Sequence, residues 1–592
     1  MNPQLIFFLN QALQYLRSGN FQSAELLLKQ AQKIAPKDPE VLRLIGIIKF
    51  NNKNYAGAIE FFEKALKQAP KNGVILSNMG NVLFELKRYE EALAAHSKAI
   101  ALAPSYAEAY SNMGNVLFEL KRYEEATSVF TGALNLNADF PNLLGRLALS
   151  KLHISEWHGL DNLIKLISEK ILQSKNISAP FDLLPILNNP DLLKKAAITW
   201  SNSKYSDNLR YPKSLKINHK KIRVGYFSSD FYNHATTHLM AEFFELHDKN
   251  NFELIAFSFG PNIEDQSRER LKQAFDQFID VSKMSDEAVV DLARSLELDI
   301  AVDLKGHTQH ARTKLFSCGL APVQVGYLGY PGTIGAPFLD YIIADLTLIP
   351  EESKDFYTEK IIYLPNSYQV NDANRSISNK APSRSEVGLP ENGFVFCCFN
   401  SNYKITPSTY DSWARILQSV EGSVLWLMDC NVTAKENLMR EAEARGISRN
   451  RLVFAEHLQP ADHLARHRLA DLFIDTLPCN AHTTASDALL AGLPVLTLLG
   501  ETFAGRVAAS LLNAVGLPEL IAKDQDEYES MAIKLATNSD QLKILAIRLE
   551  ENRLSNPLFN TRLITRHIES AYSMIHDRHQ SDLAPEHIYV PH

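Results

Sequence analysis

The stretch Asp475-Thr-Leu-Pro-Cys479-Asn-Ala-His482-Thr483-Thr484-Ala-Ser-Asp487-Ala-Leu-Leu-Ala-Gly492-Leu-Pro494 holds residue types that bind a phosphate. An apolar strand is expected to end at Asp475, followed by a polar loop and a helix from about Thr483. Thr483 and Thr484 then set two hydroxyls and the free N–H groups of a helix start around one point. That is an anion site suited to a phosphate or diphosphate. Asp487, one turn along, could reach a ribose hydroxyl. The competing reading is N-capping by threonine, which stabilises a helix by about 1 kcal/mol.

A second such place is Phe399-Asn-Ser401-Asn-Tyr-Lys404-Ile-Thr-Pro407. Pro407 suits a first helical turn, so Lys404 projects near a helix start and could add a full positive charge there. Its alternative is an ordinary exposed lysine. His234 and His238 stand at i and i+4 in Ser228-Ser-Asp-Phe-Tyr-Asn-His234-Ala-Thr-Thr-His238. That spacing raises zinc, but no Glu lies between them and no third ligand is near, so metal is disfavoured. A histidine there could instead orient or deprotonate a hydroxyl. Asp303-Leu-Lys305-Gly306-His307-Thr308 and Gly326-Tyr-Leu-Gly329-Tyr-Pro331-Gly332 end two further strands, with glycines that let backbone approach a ligand. Neither is G-x-G-x-x-G after the first strand, so a dinucleotide cofactor is disfavoured.

Positioning these residues requires strand–helix alternation. Candidate strands are Ile222–Phe227, Leu254–Ser258, Ile300–Leu304, Val323–Leu328, Tyr341–Ala344 and Ile361–Leu364. Residues 366–390, rich in Asn, Ser and Pro, read as a connector. A second series follows at Phe394–Phe399, Val424–Met428, Arg451–Phe454, Leu472–Asp475 and Pro494–Leu498. Two such series predict two Rossmann-like domains, at 216–385 and 386–592, with ligands beyond the carboxyl ends of parallel strands.

The first 140 residues follow another rule. SNMGNVLFELKRYEEA occurs at Ser77–Ala92 and again at Ser111–Ala126, an offset of 34. Phe21, Tyr55, Tyr89 and Tyr123 share that spacing, as do Ala24, Ala58, Ala92 and Ala126, and Ala12, Gly46, Gly80 and Gly114. Pro36, Pro70 and Pro104 punctuate the repeats. This pattern resembles the tetratricopeptide repeat, about four helix–turn–helix units over 1–140, which stack into a superhelix whose concave face binds peptide. Asn78 and Asn112 could hydrogen-bond an extended peptide backbone there, or be solvated polar positions. Residues 141–215 read as connecting helices, at Leu143–Leu152, Leu160–Leu172 and Leu183–Trp200. The basic run Lys213, Lys216, Lys220, Lys221, Arg223 is read as a solvated linker rather than a nucleic-acid patch.

Composition agrees with a globular chain. Of 592 residues 45% are hydrophobic and 22% charged, which excludes wholesale disorder. A net charge of −7 provides no global field for nucleic acid or an anionic membrane. Five cysteines without C-x-x-C spacing argue against a disulfide framework or zinc site and suit a reducing, cytoplasmic compartment. No signal peptide or membrane span is expected.

Repeats followed by these motifs resemble the protein O-GlcNAc transferase family of the OGT/SPINDLY type. The resemblance rests on SSDFYNHATTHLM at 228–240, LGYPGTIGAPFLDYII at 328–343 and FNSNYKITP at 399–407. CNAHTTASDALLAGLPVLTL at 479–498 and GETFAGRVAASLL at 500–512 complete it. It implies a tetratricopeptide-repeat superhelix followed by an α/β GT-B glycosyltransferase of two Rossmann-like lobes. The implied reaction is metal-free, inverting transfer of N-acetylglucosamine from UDP-GlcNAc to Ser or Thr hydroxyls of protein acceptors.

By the same resemblance Lys404 neutralises the leaving diphosphate, and Thr483 and Thr484 bind it. His482 and Asp487 contact the ribose and nearby groups, and His463 and Arg466 hold the uracil. Thr308, Gly329 and Pro331 face the sugar, with Cys479 near it, and His234 is the catalytic-centre histidine. Ser401 and Pro460 depart from animal members, which carry Gln and Lys there. The SPINDLY branch uses GDP-fucose and lacks both a histidine at position 482 and the Arg-Val-Ala-Ala-Ser run, so UDP-GlcNAc is favoured over GDP-fucose. A non-catalytic repeat scaffold would tolerate loss of Lys404, His482 and Thr483, and all three are present. Asp524-Gln-Asp526 reads as a helix cap rather than a metal motif.

Overall fold

The computed structural model describes residues 2–205, 219–380 and 382–592. Lys213 and Lys216 of the basic run, and the boundary expected at 215/216, lie outside them. The chain forms two compact units, Met1–Lys151 and Leu152–His592.

The first unit contains four helix pairs. Pro3–Arg17, Pro39–Asn51, Gly73–Glu85 and Ala107–Glu119 each precede Phe21–Ile34, Tyr55–Gln68, Tyr89–Leu102 and Tyr123–Leu136 respectively. The turn inside each pair uses one left-handed residue per period: Gly19, Lys53, Lys87 and Lys121, with φ from 56° to 73°. Asn20 and Asn54 then cap the second helix through Ser23 N (3.1 Å) and Gly57 N (2.9 Å). In the last two repeats Arg88 and Arg122 replace them and pair with Glu91 and Glu125 instead.

The small column explains the close approach of the paired helices. A Cβ on Gly46, Gly80 or Gly114 would meet the rings of Phe62, His96 or Phe130 at 2.6, 2.6 and 2.2 Å. That ring column reads Leu28, Phe62, His96, Phe130, all fully buried. His96 is its polar exception. Its Nδ1 faces Ser77 Oγ at 3.3 Å, its Nε2 has no partner, and burial pushes its pKa down to about 4.

In the second unit the expected helix Leu183–Trp200 is divided into Pro180–Leu183 and Pro190–Lys204. Pro190 cannot occupy a helix interior, and instead starts a helix that Asn189 caps through Leu192 N (3.0 Å). An eight-stranded sheet follows: β1 (Ile222–Ser228), β2 (Phe252–Ser258), β3 (Gln277–Asp280), β4 (Ile300–Asp303), β5 (Val323–Gly326), β6 (Tyr341–Ala344), β7 (Lys360–Tyr363) and a late β14 (Ile588–Tyr589). The second sheet has six strands: β8 (Val395–Cys398), β9 (Val424–Met428), β10 (Leu452–Ala455), β11 (Leu472–Ile474), β12 (Val495–Leu498) and β13 (Ile521–Ala522). Their orders are β14-β7-β6-β5-β4-β1-β2-β3 and β10-β9-β8-β11-β12-β13. Every paired strand is parallel. Central strands such as β4, β6 and β8 are wholly buried, as helices on both faces require.

The chain end departs from the expectation that 386–592 is one lobe. β14 (Ile588–Tyr589) pairs with β7 of the first sheet. Before it, helix Thr561–Gln580 packs on helix Ala235–Leu246 and β5. A buried polar chain holds it there: Tyr226 Oη donates to Tyr572 Oη at 3.1 Å, and His247 Nδ1 lies 3.0 Å from Glu569 Oε1. Asp524 caps helix Gln525–Thr537 through Glu527 N at 2.9 Å.

His96 makes the repeat unit sensitive to acid. The folded protein holds it neutral, whereas the unfolded chain protonates it below about pH 6.5, so stability present above that pH is lost as pH falls toward 4. The difference is about 2 kcal/mol at pH 5. His96→Phe, which restores the residue of the neighbouring repeats, should abolish that loss. Denaturant unfolding of the two proteins at pH 7.5 and pH 5 measures it, and an unchanged pH dependence would refute the assignment.

Candidate active site

The loop 475–482, expected from the sequence to hold the donor and called the donor loop for that reason, is organised around Asp475, buried just after β11. Its Oδ1 accepts from Ala481 N (2.6 Å), Thr476 N (2.7 Å) and Asn400 Nδ2 (3.3 Å), and its Oδ2 from Thr497 Oγ1 (2.8 Å). Burial pushes its pKa up to about 6 against those donors. Asn400 Nδ2 also donates to Thr476 Oγ1 at 2.8 Å, and its Oδ1 accepts from Thr484 Oγ1. The end of β8 and the start of helix Thr483–Leu490 are thereby joined.

Lys404 ends the 3-10 turn Asn402–Lys404. Its Nζ donates to Asn480 O at 2.7 Å, which aims the ammonium at the donor loop. Burial works against that charge, but the acidic groups around it, Cys479, Tyr403 and Asp475, outweigh burial and hold its pKa above the ordinary lysine value. His482 occupies the N-cap position of helix Thr483–Leu490, and no side chain caps that helix start. Threonine capping is therefore not what Thr483 and Thr484 do; both are half-buried at the open helix start. His482 Nε2 donates to Ala504 O at 3.2 Å, leaving Nδ1 as the ring's acceptor. Burial and then the Lys404 charge push its pKa down to about 3, so it is neutral at pH 7.

Asp487 lies one turn into the helix and is 6% exposed. Its Oδ1 accepts from Arg375 Nη1 at 2.6 Å, and its Oδ2 lies 4.0 Å from His463 Nε2. His463 is neutral: burial, then the charges of the neighbouring basic groups, push its pKa down to about 2. Arg466 is 2% exposed. It donates to Glu456 O, faces His463 Nδ1, and lies 4.6 Å from the Phe399 ring centre. It therefore braces His463 from behind.

In the first lobe His234 caps helix Ala235–Leu246, its Nδ1 accepting from Thr236 N at 3.2 Å. The neutral ring then carries its proton on Nε2. Burial, opposed by Asp230, lowers its pKa. Asp230 Oδ2 lies 3.7 Å from Nδ1 and 2.6 Å from Lys305 Nζ, with both members of that ion pair buried. His238 Nε2 donates to Asn233 Oδ1 at 2.6 Å. Among the described residues no group of three or more His, Cys, Asp or Glu side chains is placed to hold a metal ion.

Thr308 Oγ1 donates to Lys305 O at 2.9 Å, and Pro331 is buried. Gly329 is glycine for the protein's own sake: a Cβ would meet Leu304 O at 2.0 Å, so its missing side chain admits backbone rather than ligand. Cys479 is buried with Tyr330, Ile334 and Leu339, and so joins the first-lobe core to the donor loop.

An open cavity of about 820 Å³ is lined by Asn233 and His238 of the first lobe, by Arg375, and by Gln459, Pro460 and Leu464 of the second. Pockets of this size hold nucleotide-sized ligands. In the first unit, Asn112 Nδ2 reaches Ser77 Oγ at 3.5 Å, whereas the buried Nδ2 of Asn78 has no partner. Sequence reasoning assigned no role to Asp230, Lys305, Arg375, Asn400 or Asp475. Four of these end strands or follow them directly, which is the signal that could have found them. Arg375 lies in the Asn/Ser/Pro-rich connector, where nothing singles it out.

The glycosyl transferase family 41 profile matches residues 198–381 and 374–568, and tetratricopeptide-repeat profiles match 9–73, 61–94, 80–121 and 107–140. The chain is 37% identical over 377 residues to the probable UDP-N-acetylglucosamine–peptide N-acetylglucosaminyltransferase SEC of Arabidopsis thaliana, covering 63% of this chain and 39% of that one. It is 28% identical to the UDP-N-acetylglucosamine–peptide N-acetylglucosaminyltransferase of Caenorhabditis elegans, covering 63% and 42%. The chain thus spans about two fifths of the length of these curated relatives. A lysine-to-methionine mutant of the O-GlcNAc transferase of Thermobaculum terrenum superposes with a TM-score of 0.68 at 26% identity, covering 98% of both chains. With its two α/β lobes matched almost throughout and its repeats matched separately, the chain belongs to glycosyl transferase family 41.

Proposed function

We propose that the chain is an inverting glycosyltransferase that moves N-acetylglucosamine from UDP-GlcNAc to Ser or Thr hydroxyls of protein acceptors. The observation that carries this reading is Lys404 Nζ, held 2.7 Å from Asn480 O beside the uncapped start of helix Thr483–Leu490. In the reaction the acceptor hydroxyl oxygen attacks the anomeric carbon and gives up its proton to solvent, the bond to the diphosphate oxygen breaks, and the leaving UDP takes the electron pair. Lys404 and the helix N–H groups stabilise that developing charge. His234, with its proton on Nε2, offers a hydrogen-bond donor in this state and acts as a positioner. Asp487, paired with the cavity-lining Arg375, and neutral His463, one residue before the cavity-lining Leu464, are assigned to the nucleoside, with Arg466 bracing His463. Thr308, Gly329, Pro331 and Cys479 form the wall facing the sugar. The presence of His482 and of Arg506-Val-Ala-Ala-Ser510 supports UDP-GlcNAc over GDP-fucose.

No metal takes part in this reading, because Lys404 and the helix start supply the positive field. No helix among the described residues is long and apolar enough to cross a membrane. The five cysteines are unpaired, which suits a cytoplasmic protein.

Lys404→Ala should lower turnover of UDP-GlcNAc by about 10²-fold or more, the effect of removing one preorganised electrostatic group. UDP binding should survive EDTA. Calorimetric titration with and without chelator, beside a steady-state hydrolysis assay, tests both; unchanged turnover in the variant would sink the role of the lysine.

We assign acceptor binding to the repeats. Asn78, whose buried Nδ2 has no partner, and Asn112, whose Nδ2 reaches only Ser77 Oγ, would turn their amides to a peptide backbone, which presents the same groups at every residue. The double change Asn78→Ala, Asn112→Ala should raise KM for a protein acceptor while leaving UDP affinity unchanged. An acceptor KM equal to that of the parent would assign the repeats to another partner.

A further inference from the structure

Residues 152–157 follow the helical repeats in the chain and lie against the second lobe beside Lys404. Three asparagine amides hold them. Asn402 Nδ2 donates to His153 O at 2.8 Å and to Leu152 O at 3.3 Å. Asn431 Nδ2 donates to His153 O at 2.7 Å, and Asn437 Nδ2 to Ile154 O at 2.7 Å. Leu152 and His153 end helix Leu143–His153, where carbonyls lack the next turn's N–H, and Ile154 follows directly; Leu152 O also accepts from Ser155 N at 3.0 Å. Rings complete the contact. His153 lies 4.9 Å from Tyr403, Trp157 packs 5.2 Å from Tyr410, and the Arg445 guanidinium lies 5.7 Å from Trp157.

The three residues of the turn Asn402–Lys404 thereby divide their work. Asn402 is fixed by its hydrogen bonds to 152–153, Tyr403 by its packing on His153, and Lys404 carries the charge. The turn's own support is slight: Lys404 N donates to Ser401 O and Ile405 N to Asn402 O, both at 3.0 Å. Three amides from two segments, the turn at Asn402 and the helix start at Asn431–Asn437, converge on three consecutive carbonyls, which as buried acceptors need such partners.

We propose that Leu152–Trp157 is a strut that positions Lys404, with Asn402, Asn431 and Asn437 as positioning residues that do not themselves touch the donor. This rests on the reading of Lys404 as the diphosphate ligand. A displacement of the segment reaches the ammonium through the peptide link from Tyr403 to Lys404, and misplacement by about 1 Å can cost 10²-fold in rate.

The test uses the full chain and compares UDP with uridine, which lacks the phosphates that Lys404 faces. Asn402→Ala removes the donor nearest the lysine. Asn437→Ala removes a remote one. Asn431→Asp removes a donor while keeping the side-chain oxygen that caps Ala434 N (2.9 Å), so the helix after it retains its start. Each variant should weaken UDP about fivefold and slow UDP-GlcNAc hydrolysis about tenfold, well inside that limit, with uridine affinity unchanged. Lys404→Ala is the reference and should show the same selectivity for UDP. If it does while the asparagine variants bind UDP like the parent, the strut is overturned and the function stands. Equal loss of UDP and uridine in the asparagine variants also overturns the strut, since that marks general loosening. If Lys404→Ala binds UDP normally, the functional reading fails first.

Discussion

The Asp475 carboxylate leaves the end of β11 with almost no access to water and accepts from two backbone amides, one hydroxyl and one side-chain amide. An ionised group in that position is tolerable only because its oxygens are filled this way. Those bonds decide where Thr476, Ala481 and Asn400 sit. Thr476 in turn donates to Cys479 O at 2.7 Å, and Asn480 Nδ2 to Thr476 O at 2.9 Å. The carbonyl that receives Lys404 and the helix start that carries Thr483 and Thr484 are thus consequences of one buried charge.

The same economy joins the lobes. Asp345, after β6, accepts from Thr347 N, Leu348 N and Tyr368 N, each at 2.9 Å, and from Ser510 Oγ of the second lobe at 2.5 Å. Asn371 accepts from Ser486 Oγ and donates to Leu558 O. Arg506 donates to Thr347 O at 2.6 Å. The closing helix and β14 then return the chain to the first sheet. Moving the lobes apart would break several buried hydrogen bonds at once, so these bonds hold them in one arrangement.

The sequence made some of this readable and hid the rest for physical reasons. Glycine and ring columns 34 apart revealed the repeats, because each unit must solve the same packing problem. Central strands announced themselves as continuous apolar runs, and Tyr341–Ala344 and Val424–Met428 fall where expected. β3 did not, since Gln277–Asp280 is a half-exposed edge with no apolar run. β14 is two residues long and owes its place to a distant partner. Lys404 and the Thr483–Thr484 start could be found from strand-end position, and the structure brings them to one loop. Arg466 is assigned to the uracil by resemblance alone; only the fold shows that its guanidinium donates to Glu456 O and lies over the Phe399 ring. Arg375 needed the structure, because only folding places the connector against Asp487.

The charge distribution in the cleft follows from burial more than from residue type. His482, His463 and His467 all titrate at about 4 or below, each first because it is buried, so none carries charge at neutral pH. Positive charge therefore resides in Lys404, in Lys305, which is paired with Asp230, and in the arginines. Arg375 is half-neutralised by Asp487 and Arg466 is sunk beneath Phe399, which leaves the Lys404 ammonium as the cation aimed at the donor loop. Its counterpart Asp475 has its pKa pushed up to about 6 by burial. Folding raises that pKa, so the folded chain retains a proton there that the unfolded chain has already released between about pH 4 and 6. This carboxylate therefore favours the folded state below that range and opposes it above. The ionised form that orders the donor loop at neutral pH is held at a cost to stability, and the hydrogen bonds converging on it are what keep that cost small.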